Sequence, residues 1–253
     1  MPTIKQSAPD WCFFDEELGA EKYYAKLKEI GYTGVEMLSA EHRPAAKKAG
    51  LQIINFGAPG MMEGLNDLNN HPQLIADTIK TIEEANRDEI SHVIIFSGNN
   101  NGQEKPVGVK NCITGIEQYL PIAEKNGITL VFEMLNSFDH VDYQADSSAY
   151  GFEIVKHFQS PNLKALYDIY HMFRMGDDVI ADITQNLEHI AHLHIAGALT
   201  RNNPAFENAI DYPTIVKAVT DAGYNGFWGQ EFIVTTDRWN ELKTAYEFIA
   251  KIS

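Results

Sequence analysis

Short apolar runs suited to buried parallel strands alternate with amphipathic stretches along the whole 253-residue chain. The runs fall at 3–7, 33–37, 52–56, 92–97, 128–133, 164–168, 190–195 and 226–231. Helical periodicity fills 18–30, 41–49, 72–88, 108–126, 147–158, 178–188, 211–222 and 237–252. Such alternation predicts a parallel sheet, because parallel neighbours need a long return connection, usually a helix. One phrase recurs at 29–37, 47–56, 124–134 and 221–232: a helix end, a Gly, then a strand. Glycine accepts the left-handed conformation that stops a helix before the next strand. Eight units in about 250 residues fit an α/β fold of the (β/α)8 TIM-barrel type, one domain over 1–253. A doubly wound open sheet is the alternative, and no GxGxxG or phosphate loop favours it.

Four ionisable residues sit where these strands end: Glu133 in LVFEM, Asp168 in LYDIY, His194 in HLHIA and Glu231 in WGQEF. Their separations are 35, 26 and 37 residues, close to one β/α unit each. Ionisable groups are costly inside such strands unless paired or metal-bound. Repetition at that spacing predicts one shared site at the C-terminal rim of a barrel. Each has a plainer explanation alone: a strand-end ion pair for either glutamate, a helix N-cap for Asp168, a core histidine for His194. The long irregular stretches 57–71, 98–107, 134–146 and 196–210 follow strand ends on the same rim.

Two glutamates, one aspartate and one histidine form an O₃N shell suited to one divalent ion: Mn, Mg, Co or Zn. Such an ion polarises a bound carbonyl and acidifies the neighbouring C–H. A carboxylate then removes that proton to give an enediolate, and a second carboxylate returns it to the adjacent carbon. Aldose–ketose isomerisation and hydroxyketone epimerisation both need these parts.

The segments FEMLNS (132–137), LYDIYHM (166–172), HLHIAG (192–197), Arg201-Asn202, IDYPTIVKA (210–218) and GYNGFWGQEF (223–232) carry a resemblance. The chain resembles the xylose isomerase-like superfamily of sugar isomerases and epimerases over nearly its whole length, and within it the hydroxypyruvate isomerases. The resemblance implies that Glu133, Asp168, His194 and Glu231 bind one metal, and that Glu133 and Glu231 also carry protons to and from substrate. It implies that His171 touches substrate oxygens and that Arg201 meets a carboxylate or distal hydroxyls, for which a guanidinium is well shaped. It also departs from that pattern. His194 stands where many hydroxypyruvate isomerases carry glutamine, as it does in ketohexose 3-epimerases. NNPAFENA (202–209) replaces a Gly-rich stretch, and Phe138 precedes Asp139 where an arginine is frequent. The leading expectation is conversion of hydroxypyruvate to tartronate semialdehyde. A ketose 3-epimerase or inosose-type dehydratase is the alternative, and a non-catalytic sugar-binding barrel a distant one.

Trp11, Phe13, Phe56 and Trp228 fall near strand ends, where they either wall the site or pack the barrel. Trp11 and Phe56 are taken as substrate contacts, Met61-Met62 as part of a lid, and Trp239 as packing. The net charge of −15 and the lack of a Lys/Arg cluster argue against a nucleic-acid partner, and so against an endonuclease. No run of 18 apolar residues predicts a membrane span. Cys12 and Cys112 are distant and form no CxxC, which suits a reducing compartment. With no signal sequence in MPTIKQSAPDWCFF, a cytoplasmic location is expected. The expected partner is a small carbohydrate or keto acid. Self-association through helical faces stays open.

Overall fold

The computed structural model describes residues 4–252; the first residue of the predicted strand 3–7 therefore lies outside the described residues. The strands are β1 (Lys5–Pro9), β2 (Gly34–Glu36), β3 (Gln52–Ile53), β4 (Asn55–Gly57), β5 (His92–Phe96), β6 (Thr129–Glu133), β7 (Leu163–Asp168), β8 (Ile190–Ile195) and β9 (Phe227–Gln230). All pairings between them are parallel, in the order β3-β2-β1-β9-β8-β7-β6-β5-β4. The two ends of this row, β3 and β4, are separated by Ile54 alone. The Ile54 amide donates to Val35 O at 2.9 Å, and its carbonyl accepts from His92 N at 3.1 Å. The third predicted strand is thus one bent segment: its first half pairs with β2, its second with β5, and the sheet closes into a barrel.

Period-2 alternation then sorts every strand into an inner and an outer face. Ser7, Glu36, Asn55, His192 and His194 come together inside as one hydrogen-bonded group. Ile94, Val131 and Leu166 fill the other half of the interior as a small apolar cluster. The residues between them on each strand, such as Val35, Phe132, Tyr167 and Leu193, face the helices and are fully buried there. Helix Ala20–Ile30 shows how that layer is built: Tyr23, Tyr24 and Leu27 form one buried stripe. Each such side chain contributes about 1.5–3 kcal/mol on burial. Helix Lys105–Asn126 ends as the sequence phrase predicts, at Gly127 with φ 67°, whose amide donates to Ala123 O and Glu124 O.

Two helices were not expected. Asp10–Phe13 follows β1, and Ile169–Met175 follows β7 directly. The latter, IYHMFRM, is too short to show a period and is buried over most of its first turn. The predicted helix 178–188 is Val179–Gln185, followed by a single 3₁₀ turn at Leu187–His189. Among the described residues, no helix is long and apolar enough to cross a membrane.

Candidate metal centre and active site

Strand register gathers the four spaced residues at one mouth of the barrel. Asp168 lies opposite His194, and His194 opposite Gly229, so Glu231 follows two residues beyond. Glu133 ends β6, the strand next to β7. One ligand atom from each of Glu133, Asp168, His194 and Glu231 lies within 4.8 Å of every other, and all four residues are buried. His194 Nδ1 is 2.9 Å from Glu231 Oε2 and 3.8 Å from Glu133 Oε1. Three hydrogen bonds fix the ends of β6, β8 and β9. Tyr143 Oη donates to Glu133 O at 2.9 Å, Tyr212 Oη donates to Ala196 O at 2.6 Å, and Glu231 N donates to Ile195 O at 3.0 Å.

Asp168 satisfies both explanations open to it from sequence. Its Oδ1 accepts from the backbone amides of Tyr170 and His171 at 2.8 and 3.3 Å, capping helix Ile169–Met175. Its Oδ2 has no hydrogen-bond partner and sits in the cluster, 3.6 Å from both His171 Nε2 and Arg201 Nη2.

Below this group lies a residue that sequence reasoning missed. Glu36, at the end of β2, is fully buried. Its Oε2 accepts from Asn55 Nδ2 at 2.6 Å and pairs with His192 Nε2 at 3.0 Å and His194 Nε2 at 2.8 Å; its Oε1 accepts from Ser7 Oγ at 2.6 Å. Burial opposes charge on Glu36, but His192 and His194 outweigh it and hold the carboxyl well below its usual range. A carboxylate at Nε2 places the ring proton there and leaves His194 Nδ1 free as a ligand. The signal was visible in GVEM (34–37), an apolar run ending in glutamate, as in LVFEM around Glu133. Gly229 completes this layer: a Cβ there would stand 2.5 Å from Glu36 Oε1 and 2.6 Å from His194 Cδ2. The glycine of WGQEF is therefore demanded by packing across the barrel.

The electrostatics of the cluster are uneven. Burial pushes the Glu133 carboxyl up to about 8, reinforced by the charge on Glu231. Burial raises Asp168 to about 6, with Arg201 pulling the other way. Burial opposes charge on Glu231 too, but His194 and Arg201 outweigh it and hold this carboxyl below its usual range. His194 is held well above its usual range by Glu231 and Glu36, despite burial. Two carboxylates about 4 Å apart repel by about 4 kcal/mol at an effective dielectric near 20, so three in one pocket call for cations.

Arg201 supplies one of those charges. It lies 2.5 Å from Glu231 Oε2, stands 5.2 Å above the Trp11 ring and 5.4 Å from that of Tyr170, and occupies the left-handed region at φ 52°. That conformation is uncommon for a side chain of this size. It is held where Ile233 N donates to Arg201 O at 2.7 Å and Gly197 N to Asn202 O at 2.7 Å. His171 is buried beside Asp168. Its Nδ1 accepts from the Asn136 amide at 3.1 Å, and burial and Arg201 keep the ring neutral, so its proton is on Nε2, which has no hydrogen-bond partner.

The cluster opens into a cavity of about 930 Å³. Of the expected substrate contacts, Trp11, His171 and Arg201 line it, and Trp11 Nε1 donates to Glu231 Oε1 at 2.9 Å. Phe56 does not. Its neighbour Asn55 points inward to Glu36, so Phe56 points outward, under the Arg43 guanidinium at 4.6 Å. Phe96, Met37 and Leu135 supply apolar wall instead, and Met61, but not Met62, joins them. Phe13 packs edge-on against Phe232 and Trp228 against Tyr224, both as barrel packing. Trp239 packs near Tyr23, as expected.

The residues present fit a divalent ion. Asp168 Oδ2 and His194 Nδ1 are buried in the cluster without a hydrogen-bond partner, although His194 Nδ1 lies close to Glu231. The donor set is three oxygens and one imidazole nitrogen, with the imidazole backed by a carboxylate. Fold and site together define a (β/α)8 barrel with a candidate divalent-metal centre at the C-terminal ends of its strands. The chain belongs to the xylose isomerase-like TIM barrel family, whose model matches residues 24–252. It is 32% identical over 108 residues to the hydroxypyruvate isomerase of Escherichia coli (strain K12), a match covering 43% of this chain and 42% of that protein. The chain thus aligns with less than half the length of this relative. Two solved structures share the fold. The AP endonuclease, family 2, from Brucella melitensis superposes with a TM-score of 0.84 at 20% identity, covering 94% of this chain and 96% of that one. The D-psicose 3-epimerase with D-tagatose from Clostridium cellulolyticum H10 superposes with a TM-score of 0.83 at 18% identity, covering 98% and 99%.

Proposed function

We propose that this protein is a metal-dependent isomerase of small hydroxy-aldehydes and hydroxy-ketones, and that hydroxypyruvate, converted to tartronate semialdehyde, represents the head group it acts on. The observation that carries this reading is the pair Glu133 and Glu231, buried in one cluster with environments that push their proton affinities apart. Such divergence is how an acid and a base are distinguished in one site. Glu133, Asp168, His194 and Glu231 would hold the ion, which when bound polarises a substrate carbonyl and acidifies the adjacent C–H. Glu231, the ionised member, takes the proton from the carbon next to the carbonyl, and the C–H electron pair becomes the C=C bond of an enediolate. Glu133, the protonated member, delivers a proton to the neighbouring carbon, while the hydroxyl proton passes to the other oxygen. The two carboxyls finish with exchanged protonation states and re-equilibrate with water. His171 Nε2–H donates to a substrate oxygen, and Arg201 orients a carboxylate.

A second reading, ketose 3-epimerisation, is favoured by His194 at the third ligand position. There Glu231 would take the proton from one face of a carbon and Glu133 return one to the other. An endonuclease reading is opposed by the net charge of −15, which repels a phosphate backbone. Incubation in D₂O with Mn²⁺ and hydroxypyruvate or ketohexoses, read by NMR, separates the first two: deuterium appears at C2 of the hydroxy-aldehyde formed by isomerisation and at C3 of the ketohexose on epimerisation. Glu133→Gln and Glu231→Gln should each lower turnover by roughly 10²–10⁴-fold. Full turnover by either variant with metal bound would refute the two-carboxylate mechanism.

A further inference from the structure

We infer that the natural substrate carries an apolar group, of phenyl size or larger, joined to its hydroxy-carbonyl head, and that the outer half of the cavity binds this group. The inference rests on the isomerase or epimerase reading of the inner half.

The cavity is far larger than the chemistry requires. A volume of about 930 Å³ is that of a site for a drug-sized ligand, for which roughly 300–1,000 Å³ is usual. A three-carbon keto acid would occupy only the floor, where Glu133, His171, Arg201 and Glu231 converge. Above that floor the wall changes character. Trp11, Met61, Leu199 and Ile233 line its apolar side, none with a charge, while Met37 and Phe96 continue that side down onto the interior cluster of Ile94, Val131 and Leu166. The four outer residues leave much of their surface in water: Leu199 is 72% exposed, Trp11 50%, Ile233 43% and Met61 40%. Contiguous apolar surface around a cleft is the mark of a ligand groove, because a bound apolar group removes both surfaces from water. On the opposite wall Tyr170 Oη is already paired, donating to Asp139 Oδ2 at 2.5 Å and accepting from Arg174 Nη1 at 3.1 Å, and Asp139, His140, Arg174 and Thr200 make that side polar. An aryl or alkyl group meets a matching wall on the side of Trp11, Met61, Leu199 and Ile233. Continuity with the acidic cluster argues for a part of the substrate as occupant, rather than a separate partner.

Two probes with the same head test this: hydroxyacetone and 2-hydroxyacetophenone, which differ by methyl against phenyl. Each is titrated by NMR into Mn²⁺-supplied protein, and deuterium uptake at the hydroxymethyl carbon is followed separately. The phenyl compound should bind about tenfold tighter or better, from the extra apolar area it buries. Leu199→Asp and Met61→Glu should each bring the ratio of the two affinities toward one. A ratio near one in the unaltered protein, or a ratio unmoved by both substitutions, overturns the inference. So does a self-association, seen by light scattering, that Leu199→Asp breaks while the ratio stays. Deuterium uptake from hydroxyacetone without a phenyl advantage leaves the isomerase reading standing and the apolar subsite refuted. A phenyl advantage without uptake from either probe does the reverse.

Discussion

Glu36→Gln is the substitution that most directly tests how the site is supported. The three groups at Oε2, namely Asn55 Nδ2, His192 Nε2 and His194 Nε2, all lie within 3.0 Å, and one donor, Ser7 Oγ, reaches Oε1. A glutamine with its amide oxygen at the Oε2 position keeps those three contacts. Its NH₂ group then faces Ser7, whose hydroxyl rotates from donor to acceptor. Shape and hydrogen-bond count survive, and only the charge is lost. The ring proton of His194 stays on Nε2, so Nδ1 remains available, but the imidazole becomes a weaker base. Loss of such a carboxylate behind a ligating histidine typically costs about 10–100-fold in metal affinity, or about 1.4–2.7 kcal/mol.

Competition against a chelator of known affinity, for Mn²⁺ and Zn²⁺ separately, measures this directly. A loss in that range is expected, with secondary structure unchanged by circular dichroism. Unchanged affinity in the folded variant would refute the assignment of Glu36 as support for a metal ligand. Glu36→Leu is the contrasting control. It leaves Ser7, Asn55, His192 and His194 without their shared acceptor in a dry interior, each at roughly 1–3 kcal/mol. That variant should fail to fold or melt far lower, and a stable Glu36→Leu protein would show that the interior is less dependent on this carboxylate than its hydrogen bonds imply.

Proton release should accompany metal binding: at pH 7 His194, held above its usual range, must lose its Nδ1 proton to act as a ligand, while Glu133, pushed up to about 8, keeps the proton it delivers to substrate, so about one proton is expected. The sign follows: a proton competing for His194 Nδ1 weakens binding as pH falls, so affinity should rise with pH; titration calorimetry in buffers of different ionisation enthalpy checks this, and zero release at pH 7 would contradict it. Metal-free protein should lose stability from Glu133 as pH rises from the ordinary carboxylate range toward 8, because the folded state holds that proton longer than the unfolded one, and Mn²⁺ should reverse the loss in a thermal melt. Gly229→Ala should destabilise by about 1–3 kcal/mol, since the new Cβ would stand 2.5 Å from Glu36 Oε1, and a melting temperature equal to that of the unaltered protein would show that the layer yields freely.

Glu36 and Glu133 mark the limit of what is legible in this chain. Both end an apolar run, in GVEM and LVFEM, yet one sits in the ligand cluster and the other beneath it. No local pattern separates them; the difference is set by which strands lie across the barrel. Glu133 ends β6 beside β7, which carries Asp168, whereas Glu36 ends β2, on the far side, where Ser7, Asn55 and His192 converge on it. Glu133, Asp168, His194 and Glu231 were legible because each lies at the end of its own strand, and strand ends follow from hydrophobic period alone. Phe56 was misread for the opposite reason. Its direction depends on parity within a segment that bends at Ile54, and Asn55, held by Glu36, decides that parity. The same logic explains Gly229: local reasoning treats it as a strand-end glycine, but its lack of a side chain is required by Glu36, His192 and His194, the nearest of them 35 residues away. It follows that substitutions at Glu36 and Gly229 should not act additively. Glu36→Gln turns an NH₂ group toward the same space that an alanine methyl would enter, so the double variant should lose more stability than the two single losses combined. A strictly additive double-variant cycle would show that the two residues do not share the packing described here.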